Sequence, residues 1–62
     1  SVLSALYTER AGVERELDAL KQRKATLEPE AYYDELEGVL VRLATLQQRI
    51  DARQAVLRGE SE

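Results

Sequence analysis

The chain has 62 residues, no Cys and no His, 34% charged and 44% hydrophobic residues, and a net charge of −3 with both signs interspersed. Disulfide frameworks and zinc sites built on Cys or His are excluded, and the basic stripe usual in a nucleic-acid binder is missing. A folded chain of this size buries only about 60% of the surface its unfolded form exposes, so the support still open to it is association with another chain.

In chain order, the sequence predicts a first helix from Val2 to Ala25 or Thr26, over about residues 2–26. Lys21, Arg23 and Lys24 fall near its C-terminus, where cations complement the helix dipole. The one strong break is Leu27-Glu28-Pro29-Glu30, a turn over about 27–29. Proline suits the first turn of a helix and breaks an interior, and it pushes Glu28 toward an extended backbone. Glu28 is a poor N-cap, with Thr26 the alternative. The second helix is expected from Pro29 to Arg58, opening with Glu30, Asp34 and Glu35 at its positive dipole end. Gly59 stands where a left-handed C-terminal cap belongs, and residues 59–62, closing with Glu60-Ser61-Glu62, read as a frayed tail. Gly12 and Gly38 lie inside the helices, each costing about 1 kcal/mol relative to Ala; they read either as aids to close packing or bending, or as tolerated surface glycines.

Hydrophobic periodicity is the main signal. Leu3, Leu6, Arg10, Val13, Leu17, Leu20, Lys24 and Leu27 are separated by alternating steps of three and four, a heptad seam. Leu3, Arg10, Leu17 and Lys24 are its a positions; Leu6, Val13, Leu20 and Leu27 are d. The second helix repeats the pattern, with Leu36, Leu43, Ile50 and Leu57 at a, and Tyr32, Val39, Leu46 and Arg53 at d. The phase breaks across Pro29, so a continuous rod is disfavoured. A short connection makes the helices antiparallel neighbours. The fold class is therefore all-α, an antiparallel, coiled-coil-like two-helix hairpin forming a single unit. A turn centred near Glu28 pairs Leu20 with Leu36, Leu17 with Val39, Val13 with Leu43 and Leu6 with Ile50, and sets Arg10 opposite Leu46. Arg10, Lys24 and Arg53 are read mainly as snorkelling residues, stems on the core edge and charges in water. The other reading, a polar device for register, also applies to seam positions.

The g positions give an independent check. The same register sets Glu9 beside Arg49, Glu16 beside Arg42, and Arg23 beside Glu35, three pairs of opposite sign. Exposed pairs of this kind are worth only about 0–1 kcal/mol each; their role is to specify register and orientation.

The opposite flank carries no charge on the second helix: its e positions are Tyr33, Leu40, Gln47 and Gln54, and those of the first helix begin with Tyr7. The stripe Tyr32, Tyr33, Leu36, Val39, Leu40, Leu43 is wider than one partner helix can cover. Contiguous exposed apolar surface usually marks an interaction site. The expected self-association interface is Tyr7, Tyr32, Tyr33, Leu40 and Gln47, with a homodimer of hairpins closing into a four-helix bundle. Ordinary packing at the hairpin tip is the competing reading for the tyrosines.

Motifs for chemistry are absent. Di-iron bundles need Glu-x-x-His pairs, Ser1, Ser4 and Ser61 lie at the chain ends, and the three glycines are isolated rather than grouped in a phosphate loop. Glu28, Glu30, Asp34, Glu35 and Glu37 lack calcium-loop spacing and read as a solvated face. No catalytic, cofactor-binding or metal-binding residue is assigned, and no enzyme activity is expected. No apolar run approaches the ~20 residues needed to span a bilayer. No signal peptide is visible, which leaves the cytoplasm as the default expectation. A start at Ser1 without Met fits a processed protein or an excised piece of a larger one. The expected function is a structural or interaction module whose partner is a second copy of itself. The alternatives are a module accepting an amphipathic helix from another helical protein, and a membrane-surface helix, which the excess of acid over base disfavours.

Overall fold

The computed structural model describes residues 1–59, which form two α-helices joined by one turn of 3-10 helix and packed against each other as a hairpin. Helix α1 runs Val2–Gln22 and helix α2 Pro29–Leu57. Ser1 is the N-cap of α1, its hydroxyl accepting from the Ser4 amide at 3.1 Å. That satisfies one of the four amides a helix start leaves without partners.

The first helix ends sooner than its heptads suggest. Arg23 leaves helical geometry, and Lys24–Thr26 tighten into the 3-10 turn. The Thr26 hydroxyl donates to the Arg23 carbonyl at 2.7 Å, and the Thr26 amide donates to the same oxygen at 2.9 Å. Thr26 thus closes the end of the first segment instead of capping α2. Leu27 and Glu28 are extended, as a residue before proline should be. Glu28 makes no side-chain cap, and α2 begins with the Tyr32 amide donating to the Glu28 carbonyl at 2.9 Å. The physical reason for the early end is reversal of direction. A chain that must cross to an antiparallel neighbour within a few residues cannot keep the α-helical path, and a 3-10 turn is the usual tightening. Lys24 and Leu27 therefore leave the helical seam. At the far end Gly59 adopts φ 78°, the left-handed region that glycine reaches without strain. The rest of the expected frayed tail, Glu60-Ser61-Glu62, lies outside the described residues.

The buried core is Val13, Leu20, Tyr32, Leu46 and Ile50. Four of these five are d positions, and Ile50 is the one a. The a leucines Leu3, Leu17, Leu36 and Leu43 are only half-buried. The hairpin is a slab one helix thick, with principal extents 47 × 19 × 10 Å and a radius of gyration of 14.8 Å. A compact globule of this length would have about 10.6 Å. Two helices alone cannot enclose both sides of their own seam.

Candidate interaction surface

The slab has two broad faces, and they differ in what lies over the seam. On the charged face the g residues flank the d residues. Glu9, Arg42 and Arg49 wall a groove with Val13 and Leu46 at its floor, while Glu16, Arg23 and Glu35 wall another over Leu20 and Val39. Long side chains of this type cover apolar atoms with their stems and keep their charges wet, which explains why the d positions are the better-buried set. Arg42 donates to Glu16 through both guanidinium nitrogens at 2.9 Å. These hydrogen bonds hold the Glu16 carboxyl below the usual carboxylate range, ahead of the smaller opposing effect of desolvation, and hold Arg42 above its ordinary value. Among the described residues this is the ion pair that closes. Glu9 and Arg49 share one groove wall and Arg23 and Glu35 another without forming one. For exposed pairs the entropy of holding two long side chains rivals the attraction, so opposite signs at matching positions do not by themselves close a contact.

The g series has a fourth member that charge alone does not reveal. Val2 and Val56 occupy the next matching positions at the open end, and both are exposed, at 52% and 46%. With Leu6 and Ala52, between the stems of Arg49 and Arg53, they line a shallow apolar groove. Carrying the register of Glu16 and Arg42 two heptads onward would have found the pair.

The neutral face divides in two. In its open-end half the e residues are tied within the chain. Gln54 donates to the Tyr7 hydroxyl at 2.8 Å, Arg10 donates to the Gln47 amide oxygen at 2.9 Å, and Gln47 donates to Asp51 at 3.0 Å. The Arg10 guanidinium also lies 5.2 Å from the centre of the Tyr7 ring. Gln47, expected at an interface, is thus half-buried and engaged inside one hairpin. Arg10 does lay its stem along the seam, but its charge ends on Gln47 and a ring face. The Gln47 and Asp51 spacing of four was a readable signal for that bond.

In the turn half the surface is bare. Tyr33 is 54% exposed and Leu40 45%, above the half-buried Leu17, Leu36 and Leu43. Tyr32 differs from the expectation of an interface role: it is buried at the hairpin tip, edge-on to Tyr33 with ring centres 5.1 Å apart. As a d residue in the first turn of α2 it faces the reversing chain. Lys24, expected to snorkel, places its ammonium 5.5 Å from the centre of the Tyr32 ring and 5.9 Å from that of Tyr33, a cation–π arrangement that lids the tip.

Among the described residues, no three carboxylates gather to hold a metal ion, and no helix is long and apolar enough to cross a membrane. No known protein family matches the sequence, and neither the curated proteins nor the solved structures contain a match.

Proposed function

We propose that the hairpin is a non-enzymatic structural and interaction module that self-associates through the neutral face of α2, two copies closing a four-helix bundle. The observation that carries the reading is the contrast between the two sides of one seam. The d residues Val13, Leu20 and Leu46 are buried beside charged stems, while Leu17, Leu36 and Leu43 stay half open beneath an exposed Leu40 and Tyr33. Fully burying a leucine is worth about 1.5–3 kcal/mol. Leu40, at 45% exposure, has about half of that left to gain, and every half-open leucine on the face adds to the same drive. Tyr33 suits such a site, since a tyrosine buries a large ring and keeps its hydroxyl at a wet rim.

Sedimentation equilibrium across micromolar concentrations tests the reading. A monomer–dimer equilibrium that Leu40→Asp abolishes supports it. A strict monomer at high micromolar concentration overturns it and leaves the same face for an amphipathic helix of another protein.

A further inference from the structure

We infer that the second copy lies antiparallel on the turn half of the neutral face, with the two-fold axis at Leu40 and Glu14 of each copy between Lys21 and Lys24 of the other. The inference rests on the self-association proposed above and supplies the relative orientation of the copies.

The argument starts from charges the hairpin leaves unmatched. Among the described residues, Glu14 and Lys21 form no ion pair within the chain, and the contacts found for the Lys24 ammonium are two ring faces. Glu14 and Lys21 are the e residues of α1 that follow Tyr7, so both stand on the neutral face beside the bare leucines. Carrying the register of Glu16 and Arg42 along α1 sets Glu14 level with Ala44 and Lys21 with Glu37, while Lys24, beyond the end of α1, lies at the rings of Tyr32 and Tyr33. A two-fold axis through Leu40 carries the level of Ala44 onto that of Leu36. Glu14 of the second copy then arrives between Lys21 and Lys24. The same axis lays Leu36 and Leu43 of one copy over Leu43 and Leu36 of the other.

Two competing arrangements fail on charge. An axis at the midpoint of the hairpin, near the level of Ala44, brings Glu14 onto its own symmetry mate and lays the bare leucines over the open-end half, where Gln47 and Gln54 are already bonded. Stacking the copies with both turns at one end gathers two Lys21 and two Lys24 together and leaves both Glu14 residues unmatched. Like charges brought together cost specificity and affinity alike. The Leu40 axis matches the charges and covers the surface that is bare.

The absence of cysteine makes single-cysteine reporters clean. Under mild oxidation Leu40→Cys should link two copies readily, because residues on a two-fold axis fall within disulfide reach. Leu57→Cys should not, since seventeen helical residues separate each copy from the axis, about 25 Å. Charge variants give a reading independent of the crosslink. Glu14→Lys alone and Lys21→Glu alone should each weaken the dimer by about tenfold, and the double exchange should recover most of that loss. A wild-type dimer in which Leu57→Cys links as fast as Leu40→Cys, or in which the double exchange is no better than its singles, overturns this orientation and leaves self-association standing. A strictly monomeric wild-type chain overturns both.

Discussion

Tyr32, a d residue, and Leu57, an a residue, both stand on the seam of α2, yet one is 4% exposed at the turn and the other 61% exposed at the open end. At the turn the chain folds back over its own first helical residues. Tyr32 there has Tyr33 along its edge and Lys24 above its face. At the open end α2 outruns its neighbour. In the register of Glu16 and Arg42, Leu57 comes level with Ser1, which caps α1 and offers no apolar side chain. A heptad position states which way a residue points; burial also requires that the other helix reach its level. The turn end is closed by packing. The open end is held by side-chain hydrogen bonds from Gln54 to Tyr7 and from Arg10 to Gln47.

The largest expected effect sets the two ends against each other. Tyr32→Ala removes a buried aromatic and the tip contacts around it, at a cost of about 3 kcal/mol. Leu57→Ala removes a side chain already mostly in water and should change stability by less than about 0.5 kcal/mol. Urea unfolding followed by circular dichroism, at one fixed protein concentration because association contributes to stability, measures both. Equal losses would show that the open end is covered by something the single hairpin does not contain.

The two ends also mark how far the sequence could be read. Pro29 and the alternating steps of three and four were enough for two antiparallel helices, and Gly59 falls where capping logic places it. Opposite signs at Glu16 and Arg42 stated the register that their contact shows. The early end of α1 was not legible, because it arises from the geometry of crossing between helices and not from a breaker residue: Arg23, Lys24 and Ala25 are all compatible with helix. Tyr32 and Gln47 depart from the expected interface for a related reason. The e letter places Gln47 on the neutral flank and the d letter places Tyr32 on the seam, but whether the reversing chain or Arg10 reaches them first depends on three-dimensional levels. Val2 and Val56 carry no charge, so ion-pair matching along the g positions does not reach them.

A change that touches neither end separates helix propensity from packing. Gly38 sits on the exposed side of α2, with nothing within 4 Å of where a Cβ would stand, and a Cβ at Gly12 would meet Arg15 only at an ordinary 3.7 Å. Neither glycine is required for close approach, so the reading as tolerated surface glycines is the one the geometry favours. Gly38→Ala should stabilise the chain by about 0.5–1 kcal/mol through the lower entropy of its unfolded state. A raised melting temperature checks this. If Gly38→Ala instead weakened the fold, the outer side of α2 would be in contact with something, and the contrast between a packed turn and an uncovered remainder would need redrawing.

The smallest effect concerns the charged face midway between the ends. Hydrogen bonds from Arg42 depress the Glu16 carboxyl pKa in the folded chain, so in acid the unfolded chain takes up this proton first. The pair's contribution is therefore present above the ordinary carboxylate value and lost as the pH falls below it, through the depressed value. Stability curves for the wild type and Glu16→Gln should run apart by a small constant amount near neutrality and converge in acid. Both side chains are about half exposed, so added salt should narrow the gap as well. A gap unchanged in acid and in salt would mean that Glu16 contributes through the packing of its stem over the d residues and not through its charge. The charged face would then owe its closure to the same apolar burial that the neutral face still lacks.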